Sequence, residues 1–422
     1  MKKEVREGYK MTELGEIPEE WEVKRLRDLG SSVIGLTYSP DDLVEDSNAT
    51  LVLRSSNIRN SRIVFDDNKY VNKDIREKLI VKENDILLCS RNGSKDLIGK
   101  CALIDKKTEG SSFGAFMTVY RSEYNKYLFN VFTSYMFKRQ IYNNLGATIN
   151  QITTDNLNNF KVILPTVEEQ EKISSILLTV DEQIDNTEKL IQKNQELKKG
   201  LMQQLLTKGI GHTKFKKTEI GEIPEEWEVK KLKELTDVLR CGVASTPTYV
   251  EKGIPFLSAQ NVQDGKISLH KYNYISEEYH KKLTKNDKPQ KGDILYSRVG
   301  ANYGIAAVVE VEFEFSIYVS LTLIRIKKEY NSVFYKYLLN SEFIRKQADV
   351  GVFQGGGVPN LNVKVVEKFN MIVPPKFEQD RIASILSTVD EKIEQYKNKK
   401  EKLEEVKKGL MQQLLTGNIR VV

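Results

Sequence analysis

Histidine and cysteine are scarce, with three of each in 422 residues. Cys89, Cys101 and Cys241 are odd in number and scattered, so they build neither a disulfide framework nor a CxxC zinc knuckle and read as packing residues. His212, His270 and His280 share no ligand spacing with one another or with a cysteine, which argues against a metal site or a histidine-based triad. No apolar run approaches the roughly eighteen residues of a membrane-spanning helix, and the opening MKKEVREGYKM has no hydrophobic stretch for secretion. No membrane partner is expected, and the cytoplasm is the expected address. An excess of one charge is missing too: 65 Lys and Arg stand against 59 Asp and Glu. The first 210 residues balance at 31 of each sign, and the remainder carries 34 basic against 28 acidic residues. Bulk charge therefore makes no case for nucleic-acid binding, and any such case has to come from local arrangement.

Phosphate and dinucleotide loops are absent as well. GSKDLIGKC at Gly93 has one residue too many between its glycines for a phosphate loop, and Cys101 stands where Ser or Thr belongs. FQGGG at Phe353 lacks the GxGxxG spacing, and no Asn-Pro-Pro-Tyr or Asp-Pro-Pro-Tyr tetrapeptide of an amino-methyltransferase occurs. The chain is expected to catalyse nothing and to hold no cofactor or metal of its own.

What is present, in a composition of 40% hydrophobic and 29% charged residues, is one unit written twice. TELGEIPEEWEVKRLRDL at Thr12 recurs as TEIGEIPEEWEVKKLKEL at Thr218. PTVEEQEKISSILLTVDEQI at Pro165 matches PPKFEQDRIASILSTVDEKI at Pro374, and KKGLMQQLLT is identical at Lys198 and Lys407. The middles, 30–164 and 236–373, share only traces: DILLCSRNGS at Asp85 against DILYSRVGA at Asp293, and NIRNSRI at Asn57 against NVQDGKI at Asn261. Like ends and unlike middles suggest one kind of partner met twice and two different targets, although uneven drift after duplication is the competing explanation.

Residues 166–207 read as one long helix, with Thr166 and Glu169 in capping-box spacing after Pro165 and Gly209 as a stop. The second copy starts after Pro374-Pro375 and stops at Gly417. Ile382, Leu386, Val389, Ile393, Tyr396, Leu403, Leu410 and Leu414 fall on four-three spacing, interrupted at Lys400 and Lys407, and the first copy keeps that register with Lys198 among its interruptions. A helix of about forty residues is ~60 Å long, whereas the ten residues 208–217 reach at most ~35 Å. The second helix is thus expected to run back along the first. Gly200 and Gly409 lie inside the helices at a cost of ~1 kcal/mol each relative to Ala, which fits either close approach of a partner helix or a kink or early helix end.

The fold class expected is α+β: two α/β recognition domains in pseudo-twofold tandem repeat, separated by two long antiparallel coiled-coil helices. The boundaries are 1–165, helix 166–207, connector 208–217, 218–374, helix 375–416 and tail 417–422. Helical pieces are expected over 124–144 and 333–349 and β-rich runs over 306–311 and 316–326.

Candidate binding residues lie in polar loops. Arg91, Asn92 and Ser94, and Arg298, Asn302 and Tyr303, follow apolar strands at flexible glycine turns, where Arg can read guanine and Asn or Gln adenine. The alternative is that Arg91 and Arg298 cap their turns or pair with a local carboxylate. Asn150, Gln151 and Gln354 sit in a second pair of loops, and Ser55, Asn57, Arg59, Gln260 and Asn261 in the shared trace. Partner-binding candidates are the repeated Lys198, Lys199, Gly200, Gln203 and Gln204, with Lys407, Lys408, Gly409, Gln412 and Gln413.

The GEIPEEWE openings at Gly15 and Gly221, the EQ starts at Glu169 and Glu378 and the KKGLMQQLLT endings together resemble the specificity subunit of type I restriction-modification systems. The resemblance covers almost the whole chain, twice. It implies a non-catalytic subunit that reads a bipartite site in double-stranded DNA, one domain per half-site. Its helices would bind two DNA adenine methyltransferase subunits that use S-adenosylmethionine, and restriction/translocase subunits would join them. DNA-contacting positions do not transfer residue by residue. If Arg298 reads a base, Arg298→Ala should relax one half-site only. A duplicated coiled-coil scaffold without DNA recognition is the rival reading.

Overall fold

The computed structural model describes residues 5–145, 150–353 and 358–421. The chain divides into two compact units: residues 1–187 with 398–422, and residues 188–397. The long helices, Val167–Lys208 and Lys376–Leu414, therefore each contribute one half to each unit. Among the described residues no helix is long and apolar enough to cross a membrane.

In unit 1 a four-stranded antiparallel sheet runs in the order Cys101–Leu103, Ile86–Cys89, Met117–Arg121, Ser31–Ile34. Every residue of Ile86–Cys89 is buried, so the strand is a continuous apolar run rather than an alternating one. One face packs against Trp21, Phe132 and Phe137, and the other against Leu53, Val81 and Phe113. The predicted single helix over 124–144 is two helices, Asn125–Thr133 and Tyr135–Asn144. Ser134 breaks them, because its hydroxyl caps the second by accepting from Phe137 N.

Unit 2 repeats the plan. Its sheet runs Thr236–Cys241, Leu321–Ile326, Ile294–Ser297, Ala306–Val308. The expected helix over 333–349 is likewise two, Ser332–Leu339 and Glu342–Gly351, with Ser341 capping the second. Cys89 and Cys101 are buried packing residues; burial raises both thiols, that of Cys101 to about 12.

Each unit is closed by a tryptophan from the GEIPEEW segment. Trp21 Nε1 donates to Glu169 Oε2 at 2.7 Å, and Trp227 Nε1 to Glu378 Oε2 at 2.9 Å. Thr166 caps the first long helix, accepting from Glu169 N and donating its hydroxyl to Glu169 Oε2 at 3.1 Å, and the same carboxylate also takes the indole and the Arg420 guanidinium. Glu378 takes Ile210 N and the His212 ring in the same way. Arg420 and His212 each lie three residues beyond a glycine, Gly417 or Gly209, of positive φ. A Cβ on Gly209 would fall 2.7 Å from the Trp227 ring, so glycine is required there for space as well as for conformation.

Two of the lysine interruptions in the helix seams are answered by acids on the other helix. In unit 1 Ile173 and Leu177 share a core with Leu410, Leu414 and Leu415, and further along Lys407 Nζ meets Asp181 at 2.6 Å, so the two segments run antiparallel. In unit 2 Lys198 meets Asp390, also at 2.6 Å.

Candidate nucleic-acid interface

The loops that follow the central strand of each sheet gather most of the polar candidates. In unit 1 they meet the segment around 150: Ile152 N donates to Ser90 O at 2.8 Å, and Arg91 forms an isolated antiparallel bridge with Gln151. Asn150 Nδ2 donates to Gly93 O at 3.0 Å, Asn92 Nδ2 to Ser55 Oγ at 3.2 Å, and Ser94 N to Asn92 Oδ1 at 3.0 Å. Ser55, Arg91, Asn92, Ser94, Asn150 and Gln151, almost a hundred residues apart at their extremes, thus occupy one loop cluster. Ser90 N and Arg91 N both donate to Phe116 O at 3.0 Å, and the exposed Arg91 guanidinium lies 5.1 Å from the Phe116 ring centroid.

Unit 2 builds the same cluster with a different register of side chains. Leu361 N donates to Arg298 O at 2.8 Å, and Val299 forms the isolated bridge with Asn360. Arg298 therefore occupies the place of Ser90, and Val299 that of Arg91. The two Ser-Arg dipeptides are offset by one residue, and in an extended chain one residue reverses the side chain's face. Arg298 accordingly points inward. It is only 8% exposed, and its Nε and Nη1 donate to Leu361 O and Val319 O, both at 2.9 Å. Of the two roles open to it from sequence, the turn-holding one is what the geometry displays, with Nε and Nη1 both given to backbone carbonyls.

Asn57 and Asn261 are spent in the same manner. Both are buried, accept from the backbone three residues earlier, and donate to carbonyls seven and ten residues later. Between them and those carbonyls lie the tight hairpins Ile58–Arg59/Arg62–Ile63 and Val262–Gln263/Lys266–Ile267. Asn60 and Ser61, and Asp264 and Gly265, take the positive φ such two-residue turns require. The trace NIRNSRI/NVQDGKI is thus a folding signature. Arg59 is exposed but pairs with Asp66 at 2.9 Å. Gln260 and Asn302 are exposed, Tyr303 is buried and donates to Asp349 at 2.6 Å, and Gln354 lies outside the described residues.

On the helices, Lys198 and Lys407 are committed to Asp390 and Asp181 rather than held out for a partner. Lys199 approaches Glu342 at 3.5 Å in the open, an interaction of little worth. Lys408, Gln203, Gln204 and Gln412 are exposed, and Gln413 is half-buried. Gly200 and Gly409 do not end their helices, which continue to Lys208 and Leu414, and a Cβ on either would meet nothing within 4 Å among the described residues. Sequence reasoning passed over Phe116 and Arg420, and weighed His212 only as a metal ligand or triad member. The last two had a signal, their equal offset from the helix-ending glycines; Phe116 had none, since only the fold leaves it 58% exposed.

This two-copy plan has known counterparts. The model of the type I restriction modification DNA specificity domain matches residues 18–199 and again 224–405. The chain belongs to this family. As a type I specificity-domain protein it is 32% identical to the putative type I restriction enzyme MjaX specificity subunit of Methanocaldococcus jannaschii, over 98% of this chain and 97% of that one. It is 30% identical to the MjaVIII specificity subunit of the same organism, over 96% and 94%. Its fold is similar to the crystal structure of the type I restriction-modification S subunit from M. genitalium, with a TM-score of 0.58, 16% identity, and 93% and 96% of the two chains covered.

Proposed function

We propose that the chain is the DNA-reading subunit of a type I restriction-modification complex, in which each unit reads one half of an asymmetric bipartite site and neither performs chemistry. The observation that carries this reading is a shared buried scaffold bearing unlike side chains: the same loop cluster presents the exposed Arg91 in one copy and the half-buried Val299 in the other. Two different surfaces on one frame read two different words. Base edges supply the sequence information, and phosphate contacts supply register and affinity.

The repeated helix surfaces are assigned to two copies of a DNA adenine methyltransferase, which use S-adenosylmethionine and rotate the target base out of the duplex, with a restriction/translocase subunit joining that assembly. Gly200 and Gly409 support this part: each lowers helix propensity, and nothing among the described residues makes use of the space it leaves.

The experiment is to co-express the chain with a type I modification subunit from its own operon and map methylated adenines in the host DNA. A single bipartite, non-palindromic motif that disappears without this chain is the expected result. A complex that never forms, or methylation without sequence preference, would favour the scaffold reading. Binding should also weaken linearly in log-log salt, with a slope set by the phosphates contacted.

A further inference from the structure

We infer that Arg91 and Phe116 act together as a guanine-reading pair that the first recognition domain has and the second lacks. The inference rests on the DNA-reading function proposed above and names the residues and the base that give one half-site its identity.

Four observations converge. The backbone on both sides is fixed, since Ser90 N and Arg91 N share Phe116 O as acceptor at 3.0 Å each. The Phe116 ring is left mostly in water, an arrangement that costs hydrophobic free energy unless something covers it, and the Arg91 guanidinium lies over that ring. The arginines flanking Ser55 are neutralised: Arg54 by Asp67 at 2.7 Å, Arg59 by Asp66 at 2.9 Å and Arg62 by Asp185 at 2.5 Å. Arg91 has no carboxylate partner among the described residues, and its bridge partner Gln151 carries an amide of the kind that suits a neighbouring base edge.

A guanidinium held against a ring is a planar fork of limited freedom, matched to the paired acceptors O6 and N7 of guanine; a phosphate contact needs no such brace. In the second domain the corresponding positions are Val299 and Ser320, because Arg298 N donates to Ser320 O as Ser90 N does to Phe116 O. Neither of these two positions carries a cation or a ring, so the guanine reading belongs to one half-site.

The test uses the complete complex with its modification subunit, on duplexes carrying the wild-type site and every single-base-pair change in both half-sites. Arg91→Ala should reduce discrimination at one G·C pair of the first half-site by roughly ten- to a hundredfold, with the second half-site unchanged as an internal control for folding. Phe116→Ala should lower discrimination at the same pair, Phe116→Tyr should retain it, and Arg91→Lys should keep affinity better than selectivity. Equal weakening on all sequences would make Arg91 a phosphate contact, and no effect would remove it from the interface; either overturns the pair alone. A wild-type complex blind to sequence would overturn the DNA-reading function and the pair with it.

Discussion

The indole of Trp21 is hydrogen-bonded to the carboxylate of Glu169 at 2.7 Å in a site where both residues are almost fully buried. That contact joins the start of a recognition domain to the start of a long helix, and Trp227 with Glu378 repeats it. Much of the near-identity between the two copies at GEIPEEW and EQ follows from this internal lock.

Replacing Trp21 by Phe removes the donor and leaves one carboxylate lone pair unmet in the interior. A loss of about 1–3 kcal/mol is expected, measurable as a lower urea midpoint with an unchanged slope. Trp227→Phe should cost a similar amount, with Glu378 still held by Ile210 N.

Acid should loosen unit 1 through Glu169. Burial would raise its pKa, but hydrogen bonds from Arg420, Trp21 and Thr166 outweigh burial and hold the carboxyl below its usual range. A carboxyl depressed in the folded state contributes stability above its unfolded pKa and loses it as pH falls through the folded one. The stability of wild-type protein should therefore fall below about pH 4.5, and Glu169→Gln should be less stable at neutral pH and show a shallower acid limb in a pH series of denaturation curves.

The Lys407–Asp181 pair is about one-fifth exposed on each side. Asp181→Lys should destabilise by about 1–3 kcal/mol through repulsion and an unpaired, partly buried charge. The double exchange Asp181→Lys with Lys407→Asp should recover most of that loss, a coupling a double-mutant cycle would read. Lys198 and Asp390 should behave alike.

Arg298→Ala should act on folding rather than on base choice. It deletes donors to Leu361 O and Val319 O, so about 2–3 kcal/mol of stability should go, with faster proteolysis after the strand Ile294–Ser297. Relaxed specificity at one base pair with full stability would contradict this.

Gly200→Ala and Gly409→Ala should each stabilise the isolated chain by up to about 1 kcal/mol, because the added methyl lies in open space on a continuous helix. Substitution by Leu at both should weaken assembly with the methyltransferase proposed as the partner in a pull-down while leaving the chain folded.

Helix extent, the duplication and the α+β plan were legible from local signals: Pro165 and Pro374 before each long helix, Gly209 and Gly417 after it, four-three apolar spacing between. The split of the shorter helices was missed because Ser134 and Ser341 look like ordinary polar residues until they are seen to cap. The shared polar traces misled, since Asn57, Asn261 and Arg298 carry recognition-type chemistry yet use it on backbone.

The sequence by itself determined the two-copy architecture, the family and the loops worth inspecting, because periodicity, caps and repeats are encoded within a few residues of one another. Only the tertiary structure decided that Arg91 faces solvent while Arg298 faces the interior. Strand pairing fixes that choice: extended chain alternates its side chains, and the one-residue offset between the Ser-Arg dipeptides is enough to send one guanidinium out and bury the other.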